Sequence, residues 1–303
     1  MNPIESPSRR EVLGATAAAL FAASSVHAAD APVTAAPKRA FKKAIMFDML
    51  QMDGMLIDKF KSLKACGFDG VELNAPDQFK AAEVREACKE SGMEIEGVVD
   101  RFHWSITLSD PDSKKRAAAV EHLKGALRDC KAFGGTSVLL VPAVVSKNVS
   151  YDDAWKRSTE EIHKAIPTAE ENGVKIAIEN VWNQFLLSPL EAARYVDEFN
   201  SPWVGWHFDI GNVINYGWPE QWIHILGKRI LKLHFKDYSR KKRDAEGLWK
   251  GFVDLLEGDN DWPSVMKALD AVGYNTWACA EVGGGGPERM KVVSAKMDQI
   301  LRS

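Results

Sequence analysis

At 303 residues the chain is longer than an ordinary single domain, but it suits one α/β barrel of roughly 250 residues with a short extension. Its 46% hydrophobic and 27% charged residues are those of a globular protein rather than a disordered or fibrous one. A net charge of −3 leaves no basic excess for a nucleic-acid partner.

The N-terminus reads as a targeting segment. Ser8-Arg9-Arg10-Glu11-Val12-Leu13 is a twin-arginine pattern, an Ala-rich apolar run follows to Ser25, and Val26-His27-Ala28 fits a small-residue cleavage site. The run is too short and too rich in Ala for a stable membrane anchor. Residues 1–28 are therefore expected to be a signal peptide for the twin-arginine export machinery, which gives a periplasmic location. Residues 29–40, rich in Ala, Pro and Thr, are expected to be a linker. That route carries folded proteins, so a weakly held metal could be loaded before export.

From residue 41 to 303 a short apolar strand and an amphipathic helix alternate eight times. The pattern predicts strands at Ala44–Met49, Gly70–Leu73, Glu94–Val99, Ser137–Val141, Lys175–Glu179, Val204–Asp209, Ile230–Phe235 and Trp277–Glu281. Helices are predicted over Leu56–Cys66, Ala81–Ser91, Ser113–Phe133, Ala154–Asn172, Pro189–Phe199, Glu220–Leu226, Pro263–Val272 and Pro287–Leu301. Several end in Gly just before the next strand. Strict alternation argues for a parallel sheet, and eight units argue for closure into a single-domain α/β (β/α)8 TIM barrel. A doubly wound open sheet is the weaker alternative, because no Gly-rich phosphate fingerprint follows the first strand.

The segments after strands three, four and seven are long and should cover a site at the strand C-terminal ends. Arg240-Lys241-Lys242-Arg243 in the last of them reads as a solvated loop. The four Cys show no metal spacing and read as small buried apolar residues. A Cys66–Cys88 bridge between neighbouring helices is the alternative in an oxidising compartment.

Four consecutive strands each deliver one metal-competent side chain at the same end: Glu179, Asp209, His234 and Glu281. Three inward carboxylates at one barrel mouth repel one another unless a cation neutralises them. Oxygen-rich ligands with one imidazole suit Mn²⁺ best, with Mg²⁺ or Co²⁺ as alternatives. Lys236, two residues after His234, shares its inward side, where it could stabilise an enediolate or instead pair with a loop carboxylate. His207 is inward one layer deeper and reads as a satisfied core histidine. Of ten Trp, Trp104, Trp182, Trp218 and Trp249 fall in loops at the catalytic end, where flat rings suit the C–H face of a sugar.

This order of Glu, Asp, His and Glu resembles the xylose isomerase-like barrels, which include ketose 3-epimerases, hydroxypyruvate isomerase, the sugar phosphate isomerase/epimerase group and endonuclease IV. Gly70-Val71-Glu72-Leu73, His103-Trp104, Ile178-Glu179-Asn180-Val181-Trp182-Asn183, Phe208-Asp209-Ile210-Gly211-Asn212 and Glu257-Gly258-Asp259 match as well. The resemblance implies that Glu179, Asp209, His234 and Glu281 hold the metal, and that Glu179 and Glu281 are also the acid/base pair. It places His103, Trp104, Trp182, Asn212, Lys236 and Arg240 against the substrate. Asn212 departs from the ketohexose 3-epimerase pattern, which has a His there; Asn bonds a hydroxyl but carries no proton.

The activity so implied is a divalent-metal-dependent isomerase or epimerase of an unphosphorylated sugar or keto-sugar, acting by proton abstraction next to a carbonyl. A lyase that takes 3-keto-glycosides through the same abstraction and then β-elimination is the rival. A non-catalytic periplasmic sugar-binding protein is a third reading. The acidic balance argues against an endonuclease IV-like role. Barrels of this type often form homo-oligomers.

Overall fold

The computed structural model describes residues 39–303. The expected signal peptide and most of the expected linker lie outside those residues. The fold starts slightly earlier than residue 41. Arg39 pairs with Asp270 at 2.8 Å and donates to the Leu301 carbonyl, and the Ala40 amide donates to Asn275 Oδ1.

The strands, in chain order, are β1 (Lys42–Met46), β2 (Gly70–Ala75), β3 (Glu94–Asp100), β4 (Ser137–Leu140), β5 (Lys175–Glu179), β6 (Val204–Asp209), β7 (Ile230–Phe235), β8 (Asp237–Tyr238), β9 (Phe252–Val253) and β10 (Trp277–Ala280). Eight of them close into a barrel in the order β1-β10-β7-β6-β5-β4-β3-β2, while β8 and β9 form a separate antiparallel hairpin. Every barrel pair is parallel. Strands β2 and β6 are buried along their whole length, as expected of strands covered by helices outside and side chains inside.

The helices are α1 (Leu56–Ala65), α2 (Ala81–Ser91), α3 (Ser113–Phe133), α4 (Tyr151–Asn172), α5 (Pro189–Glu198), α6 (Ile210–Ile214), α7 (Pro219–Leu226), α8 (Arg240–Glu246), α9 (Trp262–Val272) and α10 (Pro287–Arg302). Helix α3 shows why they pack as they do. Val120, Leu123, Leu127 and Cys130 recur at helical spacing and are all buried. The Asp112 carboxylate accepts the Lys114 amide at the start, and Gly134 at φ +94 ends the helix in a conformation that costs a side-chain residue more. Leu123→Ala would cost about 2–5 kcal/mol, since Leu123 is fully buried. Among the described residues no helix is long and apolar enough to cross a membrane.

Two expectations are corrected here. The segment after β7 is not a plain loop: it folds into the β8–β9 hairpin and α8. Two-residue strands are too short to leave a periodic signal. What organises them is the buried Asp237 carboxylate, which accepts from the amides of Tyr238 and Leu256 and from the Trp262 indole. Second, Arg240-Lys241-Lys242-Arg243 is helical, and Arg243 donates to Asn215 Oδ1 at 2.8 Å. The four Cys are free thiols as expected, Cys66, Cys130 and Cys279 buried and Cys88 partly so, and the alternative Cys66–Cys88 bridge is not formed.

Candidate active site

Barrel register brings the expected ligands together. Asp209 stands directly opposite His234 across β6 and β7, and Glu179 opposite His207 across β5 and β6. Glu281 follows the end of β10, where its amide donates to the Phe235 carbonyl. Glu179, Asp209, His234 and Glu281 each offer a ligand atom, all within 4.8 Å of one another. His234 Nδ1 lies 3.2 Å from Glu179 Oε1 and 3.1 Å from Glu281 Oε2.

Local bonds aim each group. Asp209 caps α6 by accepting the Asn212 amide through Oδ1 at 2.8 Å, leaving Oδ2 turned to the cluster. Asn180 clamps the end of β6: its side chain donates to the Asp209 carbonyl and accepts the Asp209 amide and the Trp206 indole. The Asn212 side chain donates to the Asn180 carbonyl and its own carbonyl accepts the Trp182 indole, so Asn212 joins two loops beside the ligands. Lys236 Nζ donates to Glu281 Oε1 at 2.8 Å and lies 3.4 Å from Asp209 Oδ2.

The electrostatics are those of an acidic cluster shut away from water. Burial pushes the Asp209 carboxyl up to about 7, with Glu281 and Glu179 adding to the effect and Lys236 opposing it. Burial likewise raises Glu179, against the pull of His234. Burial also acts to raise Glu281, but Lys236 and His234 outweigh it and hold that carboxyl below its ordinary range. Burial acts to lower Lys236, yet Asp209 and Glu281 keep it well above its ordinary value.

These residues fit a divalent cation. Asp209 Oδ2 is fully buried and has no hydrogen-bond partner among the described residues, with the Lys236 ammonium 3.4 Å away as its one positive neighbour there, and a carboxylate oxygen so placed gains from a cation bound to it directly. Three carboxylates and one imidazole converge on that point, a donor set suited to a hard or borderline ion.

Glu72 was quoted above only as part of a matching motif, yet it proves to be part of the site. Its Oε2 lies 2.9 Å from His234 Nε2, and both side chains are buried. A carboxylate there can accept a hydrogen bond from Nε2–H, which would leave Nδ1 to serve a cation bound between Glu179 and Glu281. Its inward position on β2 was the available signal. His207 is buried as expected, but it is not satisfied. Neither ring nitrogen has a hydrogen-bond partner among the described residues, and the ring packs against that of His234 at 4.1 Å. Glu72 is already engaged by His234 and stays 3.9 Å from His207 Nδ1. Deeper still, Glu96 and Lys232 form a buried pair at 3.4 Å.

Above the cluster lies a cleft of about 180 Å³, lined by Glu179, His234, Lys236, Glu281 and Asn212 on one side and by Met46, Val99, Leu139, His103 and Trp104 on the other. Trp182, Trp249 and Phe252 also line it, with Trp182 and Phe252 stacked at 4.9 Å. His103 is buried; its Nδ1 accepts the Val141 amide at 3.1 Å, and burial holds the ring down at about 3. Arg240 and Trp218 are not in the cleft wall. The Arg240 guanidinium donates to the carbonyls of Ile214 and Gly217 and lies over the Trp218 ring, bracing the α6–α7 connection.

A parallel eight-stranded barrel that gathers three carboxylates and an imidazole at its C-terminal mouth belongs to the class of barrels with a polar site in a small cleft at that end. The chain belongs to the xylose isomerase-like TIM barrel family, whose model matches residues 60–301. It is 22% identical over 230 residues to L-ribulose-5-phosphate 3-epimerase UlaE of Escherichia coli O1:K1 / APEC, covering 72% of this chain and 78% of that one. The chain spans from 51% to 93% of the length of the curated relatives it matches. Among solved structures it resembles 3-keto-D-glucoside 4-epimerase YcjR from E. coli, with a TM-score of 0.72 and 16% identity over 86% of this chain and 98% of that one. It also resembles the IOLI protein with a bound zinc atom, with a TM-score of 0.71 and 18% identity, again over 86% and 98%. These last two likenesses speak to the fold.

Proposed function

We propose that the chain is a divalent-metal-dependent isomerase or epimerase of an unphosphorylated sugar or keto-sugar, exported to the periplasm by the twin-arginine route. The observation that carries the reading is the pairing of Glu179 and Glu281 on one imidazole, from strands separated around the ring by β6 and β7. Two carboxylates reach the cleft from separate strands, which is what removal and return of a proton next to a carbonyl requires.

Glu179, Asp209, His234 and Glu281 would hold the ion, with Mn²⁺ favoured by the oxygen-rich set. When bound, such an ion supplies Lewis-acid polarisation of a carbonyl oxygen. One glutamate takes the proton from the carbon beside the carbonyl, and the other returns a proton. Return to the opposite face of that carbon epimerises it; return to the neighbouring carbon shifts the carbonyl. Asn212 and Lys236 hold substrate oxygens, and the rings of Trp104 and Trp182 cover the apolar face of the sugar. The relatives' names include sugar epimerases and isomerases, which supports the same reaction class. Lys236 is the one Lys or Arg in the cleft wall and is already bound to Glu281 and Asp209, which favours a substrate without phosphate.

The test is proton NMR in D₂O with the Mn²⁺-loaded mature chain, a panel of free ketoses and 3-keto-glycosides. Deuterium entering a carbon beside the carbonyl, with the skeleton intact, is the expected result. Exchange with loss of the glycosidic substituent would make the protein a lyase instead. Metal binding with no exchange on any compound would overturn the catalytic reading in favour of a binding protein.

A further inference from the structure

The cleft is closed on one side and open on the other. On the closed side the Trp182 indole is fixed by its bond to the Asn212 carbonyl and by its stack on Phe252. The cluster residues there are shut in: the Asp209 side chain is 0% exposed and that of Glu179 7%. Glu281 is 23% exposed, the most of the four, and its neighbour Lys236 is 16% exposed. Past Glu281 lies a second, larger hollow of about 540 Å³. It shares Lys236, Trp249, Phe252 and Glu281 with the cleft, so the two hollows adjoin at these side chains.

The floor of the outer hollow is apolar and built on paired backbone. Met49, Val253, Val282 and Gly283 line it. The chain around Met49 is tied to the segment after β10 by Gly285 N to Met49 O and Gln51 N to Gly285 O, each 3.0 Å. At its charged edge Asp254 pairs with Arg289 and Glu257 with Lys296, and Lys242 lines the hollow beside them. Trp249 is 70% exposed although its ring walls both hollows. A flat, partly apolar group joined to the reacting sugar suits the side of these walls formed by Trp249, Phe252 and Val253.

We infer that the outer hollow is a subsite for the glycosidic substituent of the substrate, so that the enzyme acts on keto-glycosides rather than free monosaccharides. This rests on the isomerase/epimerase reading above and names its substrate class. The reacting ring sits in the inner cleft beside Glu179 and Glu281, and the substituent passes Glu281 to lie against Trp249 and Val253.

The test compares methyl and p-nitrophenyl 3-keto-glucosides, which share the reacting carbons and differ only in the substituent, with D-fructose as the free ketose. Deuterium exchange is followed on the Mn²⁺-loaded chain and on Gly283→Trp. A Cβ added at Gly283 meets nothing within 4 Å, so a side chain can start from this wall of the hollow without a backbone clash. Gly283→Leu fills less of it and should fall between the two, and circular dichroism verifies the fold of both variants. The expected result is about a tenfold higher kcat/KM for the p-nitrophenyl compound, an effect of the size seen for one aromatic contact. Gly283→Trp should reduce that preference to within about twofold while leaving the methyl compound nearly unchanged. Equal kcat/KM for the two glycosides, or an equal slowing of both by Gly283→Trp, would overturn the subsite and leave the reaction class standing. Exchange on D-fructose but on neither glycoside would do the same. No exchange on any of the three would bring down both.

Discussion

The two halves of the barrel mouth are made of different material. Strands β5, β6, β7 and β10 and the residues just after them present Glu179, Asp209, His234 and Glu281, with ligand atoms within 4.8 Å of one another, and Lys236 against Asp209 and Glu281. Strands β1, β3 and β4 present Met46, Val99 and Leu139 to the same cleft, with His103 beside them as a neutral ring. The fold repeats around the ring, so backbone geometry does not set this difference; side-chain choice does. One half concentrates charge where a proton must move, and the other offers an apolar wall that excludes water and strengthens every interaction opposite it. The division predicts that substitutions in the charged half act on the reaction, while those in the apolar half act on binding and stability.

The largest expected effect is from Glu179→Gln and Glu281→Gln. Each keeps the shape and removes the group that accepts a proton. The deuterium-exchange rate should fall by about 10²–10⁴ in either variant, the usual loss for a general acid or base. If one variant exchanged at the parent rate, that glutamate would be a ligand only, and the charged half would hold one proton-transfer group rather than two.

A smaller effect is expected one layer below the mouth. Glu72 does not itself line the cleft, but it holds His234 Nε2 at 2.9 Å and so orients the ring that does. Glu72→Ala should weaken Mn²⁺ binding by about 10- to 100-fold, the usual cost of removing such a partner. Glu72→Gln keeps an acceptor for the Nε2 proton and should recover most of that loss. Titration calorimetry measures both, with circular dichroism to verify folding. Unchanged affinity in the alanine variant would mean that β7 alone orients His234.

The two halves also differed in how far they could be read before any coordinates. The charged half stood out because Glu179, Asp209, His234 and Glu281 end four consecutive strands, and strand ends at one face of a barrel converge whatever the loops do. The strand and helix periods located the barrel itself within a few residues, since β5, β6 and β7 begin and end where their apolar runs do. The apolar half carried no such mark: Val99 and Leu139 are indistinguishable in sequence from core residues elsewhere. The β8–β9 hairpin was unreadable because its strands are two residues long and its organiser, Asp237, gathers partners up to 25 residues away. Arg240 illustrates the same limit. Its spacing from His234 pointed at the cleft, but the turn into α8 directs it to the carbonyls of Ile214 and Gly217 instead.

The smallest predicted effect tests the apolar half through pH. His103 is buried, accepts the Val141 amide through Nδ1, and is held by burial at about 3 rather than its ordinary 6.5. The unfolded chain takes up a proton at this residue as the pH falls below about 6.5, and the folded protein refuses it until about 3. The unfolded state therefore binds more protons throughout that window, and stability must fall as pH falls across it. The contribution is fully present above about 6.5 and is lost progressively towards 3. His103→Asn retains a side-chain acceptor for the Val141 amide and removes the titration. The variant should start at a lower Tm at pH 7.5, having lost part of the ring's packing, and then lose less Tm than the parent between pH 6.5 and 4. His207 is buried and held low in both proteins, so its similar slope cancels in the comparison. Parallel Tm curves for the parent and the variant would mean that the folded protein protonates His103 as readily as the unfolded chain does as the pH falls below about 6.5. The wall opposite the glutamates would then carry a charge of its own, and the contrast between the two halves would fail.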